Sequence, residues 1–182
     1  MRSRRRWPPK RGWIALLALL PVLLGGQVLA TEENRLKVAL IYKLTKFVEW
    51  PAHVPRAAGE RFQVCLIGRG DIMDRFNVIA GREVGGRRVE LFSPRTVSQT
   101  VSCDLEFITR EGLVRFPDLH SELAGHSVLS VSDERGFAVS GGMVELAKRG
   151  RKVVFRVNRK VAEGAGIRFS APFLGVAELV GE

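Results

Sequence analysis

Phe62-Gln63-Val64-Cys65-Leu66-Ile67 is a nearly continuous apolar run, and Gly68-Arg69-Gly70-Asp71 ends it sharply. A strand that carries apolar residues at successive positions has no side left for water. It must be buried on both faces, and sheets covered on both faces are built mainly from parallel strands with helices above and below. Arg87–Phe92, Leu105-Glu106-Phe107-Ile108 and Val128-Leu129-Ser130-Val131 read as further strands. Between these runs the period changes. Ile72, Phe76 and Ile79 fit a helix beginning near Asp71, and Leu113–Leu123 reads as a helix interrupted or started at Pro117 and ended by Gly125. Strands alternating with helices predict an α/β domain. Right-handed crossovers favour parallel pairing, and with the second strand at an edge the order is 2-1-3-4.

After Val131 the rhythm becomes strand, turn, strand. Gly141-Gly142 precedes Met143-Val144-Glu145-Leu146, and Arg149-Gly150 turns the chain into Lys152–Val157, which predicts an antiparallel hairpin. Val161–Ala165 reads as a short helix stopped by Gly166, Ile167–Ser170 as a further strand broken by Pro172, and Phe173–Val180 as an apolar tail. The expected architecture is a single three-layer α/β domain with a mostly parallel sheet, order 2-1-3-4, plus a C-terminal antiparallel hairpin.

The N-terminus obeys other rules. Met1–Gly12 carries six basic residues and no acid, Trp13–Leu24 is apolar apart from Pro21, and Val28 and Ala30 are small residues at signal-peptidase spacing. That pattern predicts a cleaved secretory signal over residues 1–30 and a mature domain over 31–182. The alternative is an uncleaved anchor, but a spanning helix needs roughly 20 apolar residues, more than this run supplies. Removing the signal takes six of the 29 basic residues and none of the 19 acids, so the net charge falls from +10 to +4. The remaining basic residues are scattered, with no stripe or motif that would bind nucleic acid. From Arg35 the apolar residues Leu36, Leu40, Leu44 and Phe47 follow helical spacing, widened by Ile41 and Val48, and the helix is expected to stop by about Glu49. Trp50 precedes Pro51 and is thereby pushed out of the α region, left at a fixed exit point under the sheet.

Two cysteines, Cys65 and Cys103, form an even pair. In an oxidising compartment such a pair predicts a disulfide; in a reducing one it predicts two buried apolar residues. A 2-1-3-4 sheet makes the Cys65 strand and the Cys103 segment neighbours, as a bridge requires. Other chemistry is sparse. Gly68-Arg69-Gly70 opens a helix after a strand, but Met73 stands where a dinucleotide loop needs its third glycine. His53, His120 and His126 have no metal-ligand spacing, so neither metal nor cofactor is expected. Ser132 has no supporting nucleophile motif. Ser132, Asp133 and Gly136 follow the carboxyl end of a strand, where α/β sheets bind ligands. Gly141 and Gly142 permit positive φ or a close backbone approach, either in a turn or in a segment that meets a ligand or partner.

The helix end Ile41-Tyr42-Lys43-Leu44-Thr45-Lys46-Phe47-Val48-Glu49-Trp50-Pro51, the strand Phe62–Gly68, then Val128–Asp133, Gly136-Phe137-Ala138, Gly141-Gly142-Met143 and Val154–Asn158 stand together in order. In that order and spacing the chain resembles the YfiR family of bacterial periplasmic proteins from about Leu36 to Leu179. The combination of K-F-V-E-W-P with S-D-x-x-G-F and G-G-M carries most of the specificity. The resemblance implies a periplasmic repressor and not an enzyme, often a homodimer. Such a protein holds an inner-membrane diguanylate cyclase inactive by binding its periplasmic sensor region, and release raises cyclic di-GMP and favours biofilm. It implies no catalytic residue and no membrane insertion after the signal is removed. Redox state of family cysteines is one proposed input, and Cys65 and Cys103 are placed like one such pair. A second pair found near G-G-M in some members is missing here, since Gly136–Leu146 holds no cysteine. Pro172 also departs from the serine-rich turn of the family. Trp50, the apolar residues of the first helix, and the surroundings of Phe137 and Met143 are the expected contact surfaces. The other function considered is a stand-alone periplasmic sensor that binds a small molecule near Ser132, Asp133 and Gly136.

Overall fold

The computed structural model describes residues 20–51, 61–150 and 152–181. The basic head and most of the apolar core expected for the signal, and the whole of residues 53–60, which read as a Pro-, Ala- and Gly-rich loop, lie outside these residues. In chain order the elements are α1 (Leu20–Leu44), β1 (Val48–Glu49), β2 (Arg61–Ile67), α2 (Asp71–Arg75), β3 (Glu83–Val84), β4 (Arg87–Phe92) and β5 (Leu105–Ile108). There follow α3 (Arg110–Arg115), α4 (Leu119–Glu122), β6 (Leu129–Ser132), β7 (Val144–Arg149), β8 (Lys152–Val157), α5 (Arg159–Gly164), β9 (Arg168–Phe169), α6 (Ala171–Leu174) and β10 (Glu178–Leu179). Among the described residues no helix is long and apolar enough to cross a membrane.

The main sheet runs β10-β8-β7-β6-β5-β2-β4-β3. Its β4-β2-β5-β6 stretch is the expected 2-1-3-4 order, parallel throughout. β7 joins β6 in parallel and pairs β8 antiparallel, so the predicted hairpin extends the sheet. Every residue of β5 and β6 is buried, as strands covered on both faces require. One face carries Phe62, Val64, Leu105, Phe107, Leu129 and Val131 against Val38, Ile41 and Leu44 of α1 and Phe76 beyond α2. The other carries Cys65, Ile67 and Ile108 against Phe116, Leu119 and Leu123 around α3 and α4. Two separate apolar clusters, one per face, make the three layers. Gly68 is needed where they meet: a Cβ there would lie 2.6 Å from the Gly112 nitrogen and on the Thr109 hydroxyl, so a side chain would push α3 off the end of β2. Close packing accounts for Gly68; Gly70, with open space around it, is set by its φ of 139°.

The N-terminal helix differs from expectation at both ends. α1 begins at Leu20 and continues through the expected cleavage point after Ala30. It stops at Leu44, passes through a 3-10 turn over Thr45–Phe47, and becomes extended at β1, short of the expected limit at Glu49. Tertiary pairing sets this end: Val48 and Glu49 pair with Phe169 and Arg168 of β9, and the Ser170 amide donates to the Phe47 carbonyl at 2.9 Å. The buried stripe is Val38, Ile41, Leu44 and Val48, whereas Leu36 and Phe47 face solvent at 47% and 41% exposure. Apolar residues recur at helical spacing on two sides of this helix, and contact with the sheet selects one of them. Pro172 does not end a strand; it sits in the first turn of α6, where its missing N–H costs nothing.

Candidate functional site

The sequence-predicted residues cluster in the connection from β6 to β7, residues 133–143, which joins two parallel strands without a regular helix. Its start is fixed by Ser132, whose buried hydroxyl donates to the Ile108 carbonyl at 2.5 Å and accepts the Glu134 amide at 3.0 Å. With both roles committed to backbone, this hydroxyl is a strap from β6 to the end of β5. Asp133 forms an ion pair with Lys37 of α1 at 2.8 Å, and Glu134 one with Arg110 of α3 at 2.7 Å. The two neighbouring carboxylates therefore point to different helices. Gly136 (φ 87°) and Gly141 (φ 105°) provide the left-handed turns of the loop.

Phe137 and Met143 are 3% and 4% exposed, so neither side chain supplies the apolar contact surface expected around them, and the exposed large apolar residue between them is Val139. The Phe137 ring packs on His120 of α4 at a centroid distance of 5.3 Å and closes the α3–α4 core cluster. Gly142 is where that ring passes the backbone, and a Cβ would occupy the ring's own space. The Gly142 amide donates to the Phe137 carbonyl at 2.9 Å. The Met143 amide donates to the Ser130 hydroxyl at 3.1 Å, and the Asn158 amide to the Met143 carbonyl at 2.9 Å. Of the two readings of Gly141-Gly142, positive φ holds at the first glycine and close approach at the second.

Three concave regions adjoin these elements. A charged cleft of about 720 Å³ lies between the start of α1 and the β7–β8 hairpin, lined by Glu33, Lys37, Asp133, Arg135, Lys148 and Arg156 among others. Lys37 pairs with both Asp133 and Glu33, and Lys148 reaches Glu33 at 2.6 Å. Burial works against the Lys37 ammonium, but its two carboxylate partners outweigh burial and hold its pKa above the usual lysine value. The Lys148 bond is the main reason Glu33 lies below the ordinary carboxylate range; burial opposes it and Lys37 assists. Behind the cleft, buried Glu145 accepts from Arg156 at 3.0 Å and from the Ala138 amide at 3.2 Å.

An apolar pocket of about 410 Å³ lies between α4 and α5, lined by His120, Leu123, Val128, Gly141, Met143 and Val161. Burial lowers the His120 pKa, so its ring is neutral there at ordinary pH. A third cleft, of about 660 Å³, is formed by Glu49, Trp50, Pro51, Glu163, Gly166 and Arg168 at the β1–β9 pair. Trp50 stands where the sequence placed it: its indole N–H donates to the Asp104 carbonyl at 3.1 Å and its ring meets Phe62 edge-on at 5.3 Å. The predicted residues are thus divided. Asp133 borders the charged cleft, Gly141 and Met143 the apolar pocket, and Trp50 the third cleft. Ser132, Gly136, Phe137 and Gly142 build the loop.

Cys65 and Cys103 are joined by a disulfide with a Cα–Cα distance of 6.0 Å, tying β2 to the segment that enters β5. Beside it stands a residue that the sequence reading passed over. Glu106 of β5 is fully buried, neither carboxyl oxygen has a hydrogen-bond partner, and burial raises its pKa well above the ordinary carboxylate value. The signal was present as a lone acid in the apolar run Leu105-Glu106-Phe107-Ile108. Among the described residues no group of three or more His, Cys, Asp or Glu is placed to hold a metal ion.

The architecture is similar to that of a solved structure, the ABC domain in complex with L-Trp from Streptococcus pneumonia, with a TM-score of 0.50 and 16% identity. The match covers 81% of this chain and 60% of that one, and at this identity the likeness concerns the fold alone. No curated protein matches the sequence. The profile of the YfiR/HmsC-like family matches residues 34–178, from within α1 to β10. The chain therefore belongs to the YfiR/HmsC-like family.

Proposed function

We propose that the protein is a periplasmic regulatory binding protein. It represses an inner-membrane diguanylate cyclase by binding the cyclase's periplasmic sensor region, after export and removal of residues 1–30. Family membership across residues 34–178 is the observation that carries this reading. Two features of the molecule agree with a binding scaffold. The Ser132 hydroxyl and the Asp133 and Glu134 carboxylates are spent on internal bonds. Leu36 of α1 and Phe47 of the turn that follows it are exposed to solvent. Repression by binding is a population effect: the protein shifts the cyclase only by its difference in affinity for the active and inactive forms. The bridge Cys65–Cys103 is the redox input in this reading, and the protein acts as a homodimer.

The contact surface is assigned to α1 and its exit, at Leu36 and Phe47. Charged replacements there, Leu36→Asp and Phe47→Asp, leave the thermal midpoint within a few degrees and abolish co-purification of a cyclase from detergent-solubilised membranes. Unchanged co-purification by both would remove α1 from the interface. A membrane extract that yields no cyclase with the wild-type protein would remove the partner assignment.

The apolar pocket beside His120 supports a second reading, a stand-alone sensor for a small molecule. A thermal-shift screen distinguishes it: a ligand that raises the midpoint in the wild type and not in Gly141→Phe, in a strain with no cyclase partner, favours the sensor.

A further inference from the structure

Glu106 occupies the second position of the central strand β5 and has no exposed surface and no hydrogen-bond partner. An unpaired carboxylate in such a place costs several kcal/mol, so the group persists as the neutral acid. The sheet register sets it directly between Cys65 of β2 and Ser130 of β6. All three side chains stand on the face that carries α3 and α4, and neighbouring strands lie about 4.8 Å apart. The carboxyl and the Cys65 sulfur therefore share one dry layer with Ile108, Phe116 and Leu119.

The surrounding charged groups are engaged elsewhere. Asp104, immediately before β5, accepts the Gln63 amide at 2.7 Å and pairs with Arg87 at 2.9 Å. His120 of α4 packs on Phe137 and is itself held neutral by burial. Burial alone accounts for the state of Glu106. A protein has little structural use for an acid kept neutral and unbonded in its core, whereas a reducible bond beside it has use for a proton.

We propose that Glu106 is the proton donor for thiol–disulfide exchange at the Cys65–Cys103 bridge. A dithiol reductant supplies the electrons. Its thiolate attacks the Cys103 sulfur, which is the less buried of the two and follows the 3-10 turn Val97–Ser102. The S–S bond breaks, and its electron pair leaves on the Cys65 sulfur, which takes the Glu106 proton; the negative charge passes to the Glu106 carboxylate, the weaker base of the two, until it is reprotonated. The second thiolate of the reductant then attacks the reductant's own sulfur in the mixed disulfide. Cys103 is released as a thiolate and is protonated from water, and Glu106 recovers its proton from solvent. The reductant ends as a disulfide and the bridge as two thiols. This concerns the bridge alone and holds whichever partner the protein binds.

The test uses the oxidised, purified full chain and Glu106→Gln, which keeps the shape and removes the titrating proton. Each is reduced with excess dithiothreitol over a range from mildly acidic to alkaline pH, and thiols are trapped by alkylation. Rates are divided by the dithiothreitol thiolate concentration. In the wild type the normalised rate falls at high pH, where Glu106 loses its proton. In Glu106→Gln it is flat and about 100-fold lower at neutral pH, the lower end of what a positioned general acid contributes. Glu106→Leu reproduces the loss and covers the case in which the buried amide disturbs folding. Equal rates and equal profiles for wild type and both variants overturn the proposal. So does reduction of all three at the rate of global unfolding measured by pulse proteolysis.

Discussion

The disulfide closes a loop whose ends are 38 positions apart, and the cost of losing it can be worked out before it is measured. In the chain-entropy view a cross-link acts on the unfolded chain, and for this loop the contribution is about 4 kcal/mol. For a chain of this size each kcal/mol moves the thermal midpoint by about 2–4 °C, so removal of the bridge lowers it by about 8–16 °C. Cys65 and Cys103 are 0% and 4% exposed, so mutation to alanine also deletes buried sulfur and adds a packing loss. Three samples separate the two contributions: oxidised wild type, reduced wild type, and Cys65→Ala/Cys103→Ala. In urea titrations the oxidised-to-reduced gap reports the cross-link, and the reduced-to-alanine gap reports packing. The denaturant slope rises on reduction, because the unlinked unfolded chain exposes more surface. An oxidised-to-reduced gap below about 1 kcal/mol would refute the entropic reasoning, since it would mean that the unfolded chain is no freer without the bond.

Other outcomes follow from single side chains. Glu106 stays neutral in the folded protein after the unfolded chain has ionised it; stability is therefore unaffected below the ordinary carboxylate pKa and falls as pH rises from there towards the higher folded-state value, and Glu106→Gln flattens that fall in pH-dependent urea midpoints. Gly142→Ala places a methyl group in the space of the Phe137 ring and costs about 2 kcal/mol in chemical denaturation, with near-ultraviolet circular dichroism reporting the displaced ring. Arg156→Met leaves the buried Glu145 without its guanidinium partner and costs about 3 kcal/mol, and the double variant with Glu145→Gln recovers a large part of it.

The fold was legible where a residue's position is set by local pattern. The unbroken apolar runs at Phe62–Ile67 and Val128–Val131 require a sheet covered on both faces, and the Cys65–Cys103 neighbourhood follows from the 2-1-3-4 order that such strands adopt. What was not legible depends on partners distant in sequence. Nothing between Leu44 and Pro51 announces that Val48 and Glu49 will pair with Phe169 and Arg168, so the sequence sets only a limit for the helix near Glu49 and the actual end at Leu44 depends on that pairing. Leu36 and Val38 are equally apolar, and only the position of the sheet decides which is covered. Phe137 and Met143 lie among glycines and polar residues, a context that reads as surface. Their burial depends on Gly142 giving way to an aromatic ring and on α4 lying opposite, neither of which is visible in spacing. Trp50 succeeded because Pro51 acts on it directly.

The span from Cys65 to Cys103 holds α2, β3 and β4, one whole wing of the sheet. Joined at its base, this wing is a covalent ring. A single protease cut anywhere on the ring's circumference leaves one molecule, its two fragments still joined at the bridge beside β5. Damage there becomes loss of material only after the sulfurs part, which makes the integrity of the wing a reporter of the surrounding redox conditions.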